Sequence, residues 1–278
     1  MGKLTLEIVD KKGKIKNYRN GYEERDRELQ RSAEKMTYLA GQNFAYEAGD
    51  IIRIRVERPN QYLMVQLDEA LAPTLVYLKK NIWDYQVPVE EKIREAYSAK
   101  VFSGNRHYLS VREASEEEIN QYQNLALNPH DQKESIDVYP HVFANVETRN
   151  DATFFARNAI DGVYANESHG SYPYQSWGIN QQADAAMTLD FGRKVEIDKI
   201  GVVLRGDYPH DSWWKEATVV FSDGSQEVLS LKKLHEVQYF TITPRIVESL
   251  VFKELIRGDE ALFPALTQIE AYGSVVDE

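Results

Sequence analysis

Apolar residues recur at every second position in many short segments of this chain, and this period of two restricts the possible folds most strongly. Residues 52–56, 200–204 and 217–221 each place three apolar side chains on one face. Turn-forming pairs such as Gly49-Asp50 and Asp223-Gly224 separate segments of this kind. No regular alternation of strands with long helices appears. The pattern therefore predicts an all-β protein built as β-sandwiches or jelly rolls.

The length of 278 residues allows two domains. We predict a first β-sandwich over residues 1–114 and a second over residues 124–278. Between them, Ser115 followed three residues later by Glu118 fits a capping box, in which each residue binds the backbone N–H of the other. Residues 115–123 are therefore predicted to form a short helical linker.

Charge and composition narrow the possible partners. A net charge of −11 argues against nucleic acid as a partner, because there is no basic field to attract phosphates. The absence of cysteine excludes disulfides, thiol catalysis and cysteine-ligated metals. No apolar run approaches the length that spans a bilayer, so no membrane association is expected. The N-terminus runs into an alternating strand without a signal core, which predicts a cytoplasmic protein, or an extracellular one if a leader has been removed.

Several motifs in the second half occur in an order known from one superfamily. They are Asn-Leu-Ala at 124–126, Ala-Ile-Asp-Gly at 159–162, Ser-Trp at 176–177, Asp-Phe-Gly at 190–192 and Ile-Glu-Ala-Tyr-Gly at 269–273. This pattern resembles that of discoidin or coagulation-factor C domains, which have a galactose-binding-like fold. The resemblance covers about half of the chain.

The resemblance implies a jelly-roll sandwich whose loops at one end bind galactose-like or other sugars, and in other members lipid or protein. Many members hold a structural calcium ion near the Asp-Gly turn and the C-terminal Glu, which here would be Asp161 and Glu270. Val163 stands where a polar residue commonly follows the Asp-Gly turn. The apolar pattern of strands in the second half is similar to that at residues 62–68 and 75–78. The first half is therefore predicted to be a diverged copy of the same sandwich.

The densest polar and aromatic cluster is the loop at 204–214. Arginine and carboxylate groups form charge-assisted hydrogen bonds with sugar hydroxyls, and an aromatic ring stacks on the C–H face of a sugar. By strand parity, Arg205 should leave the core, Trp213 should enter it, and Trp214 should be free to stack. The competing interpretation is that both tryptophans plug the end of the sandwich while Arg205 pairs with Asp207 or Asp211.

Two further segments could contribute to the same end of the sandwich. The loop at 168–178 contains His169 and Tyr174, predicted to be exposed, and Trp177, predicted to be core. The segment at 139–149 contains His141. The side chains predicted to bind carbohydrate, and to converge on one cleft, are His141, His169, Tyr174, Arg205, Asp207, His210, Asp211 and Trp214.

The remaining histidines, His107, His130 and His235, have no evident partner and are predicted to lie at the surface or at strand edges. A transition-metal site built from His141, His169 and His210 is disfavoured, since none of them has the close spacing typical of metal ligands. The favoured function is non-catalytic carbohydrate binding. A carbohydrate-active enzyme using the His and carboxylate groups of the same loops, and a protein-interaction scaffold, are the alternatives; the oligomeric state is left open.

Overall fold

The computed structural model describes residues 2–210 and 212–276, and these form a mostly β structure with several antiparallel sheets. The strands of the first half are β1 Leu4–Val9, β2 Asn17–Tyr18, β3 Arg27–Glu28, β4 Gln30–Ala33, β5 Met36–Gln42, β6 Ile51–Val56, β7 Gln61–Gln66, β8 Thr74–Leu78, β9 Ile82–Gln86 and β10 Arg106–Glu113. Two short helices are α1 Glu91–Arg94 and α2 Glu116–Asn120.

The second half contains nine strands and three short 3-10 helices among its described residues. The strands are β11 Gln123–Asn124, β12 Val138–Tyr139, β13 His141–Ala144, β14 Trp177–Gly178, β15 Met187–Leu204, β16 Trp214–Phe221, β17 Gln226–Ser230, β18 Gln238–Arg257 and β19 Ala265–Val275. The 3-10 helices are Thr148–Asn150, Ala152–Phe154 and Ala156–Ile160. In the part of the chain that is described, no helix has the length and apolar character needed to cross a membrane.

The first half consists mainly of two antiparallel sheets, in the strand orders β4-β1-β6-β9 and β12-β8-β7-β10-β5. Alternate residues of β5 and β6 are buried, as the period of two predicts. Inward side chains from both sheets form one hydrophobic core, which includes Leu6, Ile54, Val65 and Leu109. Burial of these apolar faces is the main source of stability for such an arrangement.

The two halves are joined by more than a linker. Strand β12 belongs to the second half in sequence but pairs with β8 of the first half, with Val138 opposite Leu78 and Tyr139 opposite Tyr77. Val138 also lies in the core of the first half. The halves therefore share a β ladder and part of a hydrophobic core.

Helix α2 has the capping box that the sequence predicts. The Ser115 hydroxyl accepts a hydrogen bond from the Glu118 N–H at 3.3 Å, and the Glu118 carboxylate accepts one from the Ser115 N–H at 2.9 Å. Arg112 donates two further hydrogen bonds to the same carboxylate, at 2.7 and 2.5 Å. These hydrogen bonds, led by those from Arg112, lower the pKa of Glu118 to about 2. The capping prediction is confirmed.

In the second half, β11-β19-β15-β18-β16-β17 form one hydrogen-bonded network, to which β13 and β14 add. The long strand β15 changes register between Asp190 and Val195, so that its first part pairs with β13 and β18 and its later part with β19 and β18. Gly192 lies in this irregularity at φ +66°, and a Cβ there would overlap the Tyr139 ring. Bulges of this kind bend a strand, and the network encloses a single core containing Trp177, Phe191 and Phe252.

Two of the histidines predicted to be superficial are buried. His107 on β10 is 5% exposed and His130 is fully buried, whereas His235 is exposed as predicted. His107 faces inward because the alternation of β10 places its parity with Leu109 and Val111. His130 is covered by the first half, since its Nε2–H donates to the Ala72 carbonyl oxygen at 3.2 Å. The first half thus contributes to the burial of this ring.

Candidate functional site

The loop that follows β15 forms a buried ion pair at one end of the second half. The Arg205 Nε lies 2.8 Å from Oδ1 of Asp207, and both side chains are only 6% exposed. The Arg205 Nη2 also donates to the His210 carbonyl oxygen at 2.5 Å. The side chain of Arg205 thus stays outside the hydrophobic core, as parity predicts, but these contacts keep it buried. The pairing of Arg205 with Asp207 matches the competing interpretation.

His169 from the preceding loop joins this pair. Its Nδ1 forms a short hydrogen bond with Oδ2 of Asp207, while its side chain remains 44% exposed. Since a carboxylate only accepts hydrogen bonds, Nδ1 carries the proton. The His210 ring lies 5.8 Å from the His169 ring. Asn166 connects the two loops, because its Nδ2 donates to the Leu204 carbonyl at 2.7 Å and its own carbonyl accepts the Gly206 N–H at 2.8 Å.

A cavity of about 330 Å³ opens beside these groups. Its walls combine imidazole, guanidinium and amide groups with aromatic and aliphatic ones. The lining residues are Thr148, Arg149, Phe154, His169, Gly178, Ile179, Asn180, Gln181, Arg205, His210, Phe263, Pro264 and Ala265. Phe263 is half exposed, whereas Phe154 is buried. The cavity therefore presents one accessible aromatic ring together with polar groups.

The structure brings four predicted site residues together. His169, Arg205 and His210 line the cavity, and Asp207 holds two of them in place. Asp211 lies outside the described residues. His169 and Asp207 are 38 positions apart, so their contact depends on the fold that brings the two loops together.

Trp214 is not available for stacking, which corrects the prediction. Its ring is fully buried against Trp177 and Phe252, with centroids 6.5 and 6.1 Å away. Trp213, predicted to be core, is only partly buried and packs on the core from its edge. Trp213 and Trp214 lie on faces opposite to those predicted because β16 changes register at Glu216, which leaves Lys215 and Glu216 both exposed and reverses the alternation.

His141 and Tyr174 also lie away from the cavity lining. The Nδ1 of His141 lies 2.7 Å from Oδ1 of the fully buried Asp131, whose other oxygen accepts the Val142 N–H at 3.1 Å. Burial lowers the pKa of His141, but the hydrogen bond and charge of Asp131 outweigh this effect and raise it overall. His141 therefore serves to pair a buried carboxylate. Tyr174 is half buried.

Three residues that line the cavity were not predicted from the sequence: Thr148, Asn180 and Phe263. The Thr148 hydroxyl accepts the Asn180 N–H at 2.9 Å and so fixes the position of Asn180 on the rim. Phe263 precedes Pro264 in the loop before β19, outside any strand. An aromatic residue beside a proline in a loop is the sequence signal that could have identified it.

The two residues implied as calcium ligands have other hydrogen-bond partners. The Asp161 carboxylate accepts hydrogen bonds from the side-chain amides of Gln175 and Gln268, at 2.7 and 2.9 Å, and burial raises its pKa. The Glu270 carboxylate accepts a short hydrogen bond from the Tyr164 hydroxyl. Calcium binding at Asp161 and Glu270 stays a prediction, which metal analysis of the purified chain can test.

The comparisons with known proteins found similar solved structures. No protein-family model matches the chain, and no curated protein matches its sequence. Chitosan-binding module 1 of a chitosanase/glucanase from Paenibacillus sp. IK-5 is 17% identical, covering 54% of this chain and 99% of that module, with a TM-score of 0.37. A fucose-binding module from Streptococcus pneumoniae is 9% identical, covering 55% of this chain and 96% of its own, with a TM-score of 0.41.

A third structure is the family 32 carbohydrate-binding module of NanJ from C. perfringens in complex with galactose. It is 16% identical, covering 47% of this chain and 91% of that module, with a TM-score of 0.37. These three structures are carbohydrate-binding modules, and the match to each covers about half of this chain.

Proposed function

We propose that the second half of this chain binds a carbohydrate in the cavity beside His169 and Phe263. The observation that carries the proposal is a cavity of about 330 Å³ that combines a half-exposed aromatic ring with imidazole and amide groups. Small-ligand sites have volumes of this order, with apolar walls and a few oriented polar groups. One or two sugar rings fit that description.

The hydrogen-bond network decides how each side chain can act on a sugar. With its Nδ1–H donated to Asp207, the His169 ring retains Nε2 for a hydrogen bond with a hydroxyl group. The Asn180 side-chain amide both donates and accepts. Phe263 offers an apolar face to the C–H groups of a sugar. Arg205, held by Asp207, also lies in the cavity lining.

The Phe263→Ala variant is expected to weaken sugar binding at least about fivefold, because a stacked ring contributes on the order of 1 kcal/mol beyond the area that it buries. A glycan array of the whole chain would identify a ligand, and calorimetry would then measure the Kd of wild type and variant. Leu262→Ala is a matched control, since Leu262 is equally exposed but outside the cavity lining.

Equal losses in the two variants would contradict the assignment of Phe263 as a stacking residue. A folded wild-type protein that binds no glycan on the array would overturn the proposed function itself.

A carbohydrate-active enzyme is a second proposal, favoured by one observation. The His169 and Asp207 pair has the form of a base oriented by a buried carboxylate. Turnover of an oligosaccharide that is lost in His169→Ala, with binding retained, would support catalysis. Binding without turnover would support the non-catalytic function.

We also propose that the first half is a sandwich of the same galactose-binding-like type. Its support is the arrangement of two antiparallel sheets around one core. An experimental structure in which these strands follow another connectivity would reject this proposal.

A further inference from the structure

Three potential metal ligands meet in the first half, far in sequence from the proposed sugar site. Asp68 and Glu69 follow strand β7, and His107 lies on β10 opposite Gly41 of β5. One potential ligand atom from each lies within 4.8 Å of the others. Among residues 2–210 and 212–276, this is the single group of three or more His, Asp or Glu side chains that meets this criterion.

The His107 ring lacks hydrogen-bond partners in a buried position. The residue is 5% exposed, and neither ring nitrogen has a partner among the described residues. Its ring packs against those of Phe44 and Tyr46, with centroids 4.7 and 4.6 Å away. A buried polar group without a hydrogen-bond partner destabilises the fold. A cation bound to one ring nitrogen would provide the missing interaction.

The two carboxylates retain electron pairs for a cation. The Asp68 oxygens each accept one backbone N–H, from Ala70 at 2.8 Å and from Phe102 at 2.9 Å. Each carboxylate oxygen can accept a second bond. Glu69 accepts the Tyr108 N–H through Oε2 at 3.3 Å, and its Oε1 takes part in no described hydrogen bond.

The local charge also favours a cation. Neither Asp68 nor Glu69 forms an ion pair with a Lys or Arg in the described part of the chain. Asp68 is 2% exposed, so its negative charge has little contact with solvent. The hydroxyl of Tyr46 is also buried without a partner among the described residues. A positive ion would offset the buried negative charge.

The cluster is accessible from solvent through a cavity of about 580 Å³, whose wall includes Glu69, His107, Tyr22 and Gln42. Such a cavity gives an entry route and space for water molecules as further ligands. Glu69 is exposed, so its side chain is free to move toward an ion.

We propose that Asp68, Glu69 and His107 bind a divalent first-row transition-metal cation, with Zn²⁺ as the representative ion. One imidazole nitrogen and two carboxylate oxygens form a ligand set that Zn²⁺ accepts, and water completes the coordination. Ca²⁺ and Mg²⁺ take oxygen ligands, so the imidazole discriminates against them.

The test uses the whole chain freed of metal by a chelator. Zn²⁺ is titrated by calorimetry, and Co²⁺ is followed by its visible absorption, which reports ligand geometry directly. We expect one equivalent of either ion, and at least a tenfold weaker affinity in Glu69→Gln, since even outer-shell substitutions at metal sites cost tenfold or more. Because Glu69 is exposed, this variant is expected to fold, and circular dichroism checks it. His107→Gln should also lose the site.

Two controls separate this site from the rest of the molecule. Glu28→Gln removes an exposed acid on β3 and should leave the Zn²⁺ affinity unchanged. His169→Ala should leave it unchanged as well, since His169 belongs to the proposed sugar site. The proposal is overturned if the wild type binds neither Zn²⁺ nor Co²⁺ stoichiometrically, if Glu69→Gln binds as tightly as the wild type, or if binding is lost in His169→Ala instead.

Discussion

Replacing Trp214 by alanine is expected to lower the free energy of unfolding by about 3–5 kcal/mol, the usual cost of removing a large buried aromatic side chain. Trp214 is fully buried at the start of β16, in the core that also contains Trp177 and Phe252. Its indole N–H has no partner among the described residues. The loss therefore reflects apolar burial and the resulting cavity, which partner side chains cannot refill without moving.

Urea unfolding monitored by circular dichroism measures this loss. Phe263→Ala is the control, because a half-exposed residue in a loop should change the free energy of unfolding by well under 1 kcal/mol. The two variants thus separate core packing from ligand stacking. A Trp214→Ala protein as stable as the wild type, but defective in sugar binding, would restore Trp214 as a binding residue and refute its placement in the core.

Stability is expected to fall as the pH is lowered from about 6.5 to about 4, by about 3 kcal/mol, through the single residue His130. Burial lowers the pKa of His130 to about 4, and the positive charge of Arg157 adds to this effect. The donor to the Ala72 carbonyl is Nε2–H, so a second proton would go to Nδ1, which is buried without a partner among the described residues.

The direction of this change in stability with pH follows from proton binding. Below pH 6.5 the unfolded chain protonates this histidine, whereas the folded chain does not until about pH 4, so acid favours unfolding. His130→Gln keeps an N–H donor for Ala72 and should flatten the pH dependence in this range. His141 acts in the opposite direction, because its raised pKa stabilises the fold below about pH 6.5, and that contribution is lost as the pH rises through the folded pKa.

Measuring the free energy of unfolding against pH for wild type, His130→Gln and the exposed-site control His235→Gln checks this prediction. We expect the control to follow the wild type. If the wild-type curve is no steeper than the flattened curve of His130→Gln, His130 is not held neutral in the folded chain.

Much of the fold was predictable from local pattern. The alternation at residues 52–56 predicted β6, and the spacing of Ser115 and Glu118 predicted the cap of α2. Both depend on neighbours within a few residues, so the sequence contains the whole signal. The pairing of β12 with the sheet of the first half was not predictable. Val138 and Leu78 are sixty positions apart, and no short-range sequence pattern indicates that they pair.

The candidate site was also predictable only in part. The polar loop at 205–210 was identified from its composition, and its grouping of Arg205, Asp207 and His210 holds in the structure. Phe263 was missed, since it belongs to another loop that only the folded chain brings to the cavity. Trp214 was misassigned because a change of register within β16 reverses the parity that the argument assumed.

By itself, the sequence determined the β character of this protein, the capped helix between its halves and the polar loop at one end of the second half, since alternation, capping and turn chemistry act between near neighbours. Tertiary structure alone decided that Trp214 packs in the core and that His130 is buried against the first half. It also decided that Asp68, Glu69 and His107 lie close together. Those outcomes depend on strand register and on contacts between distant segments, which no short stretch of residues specifies.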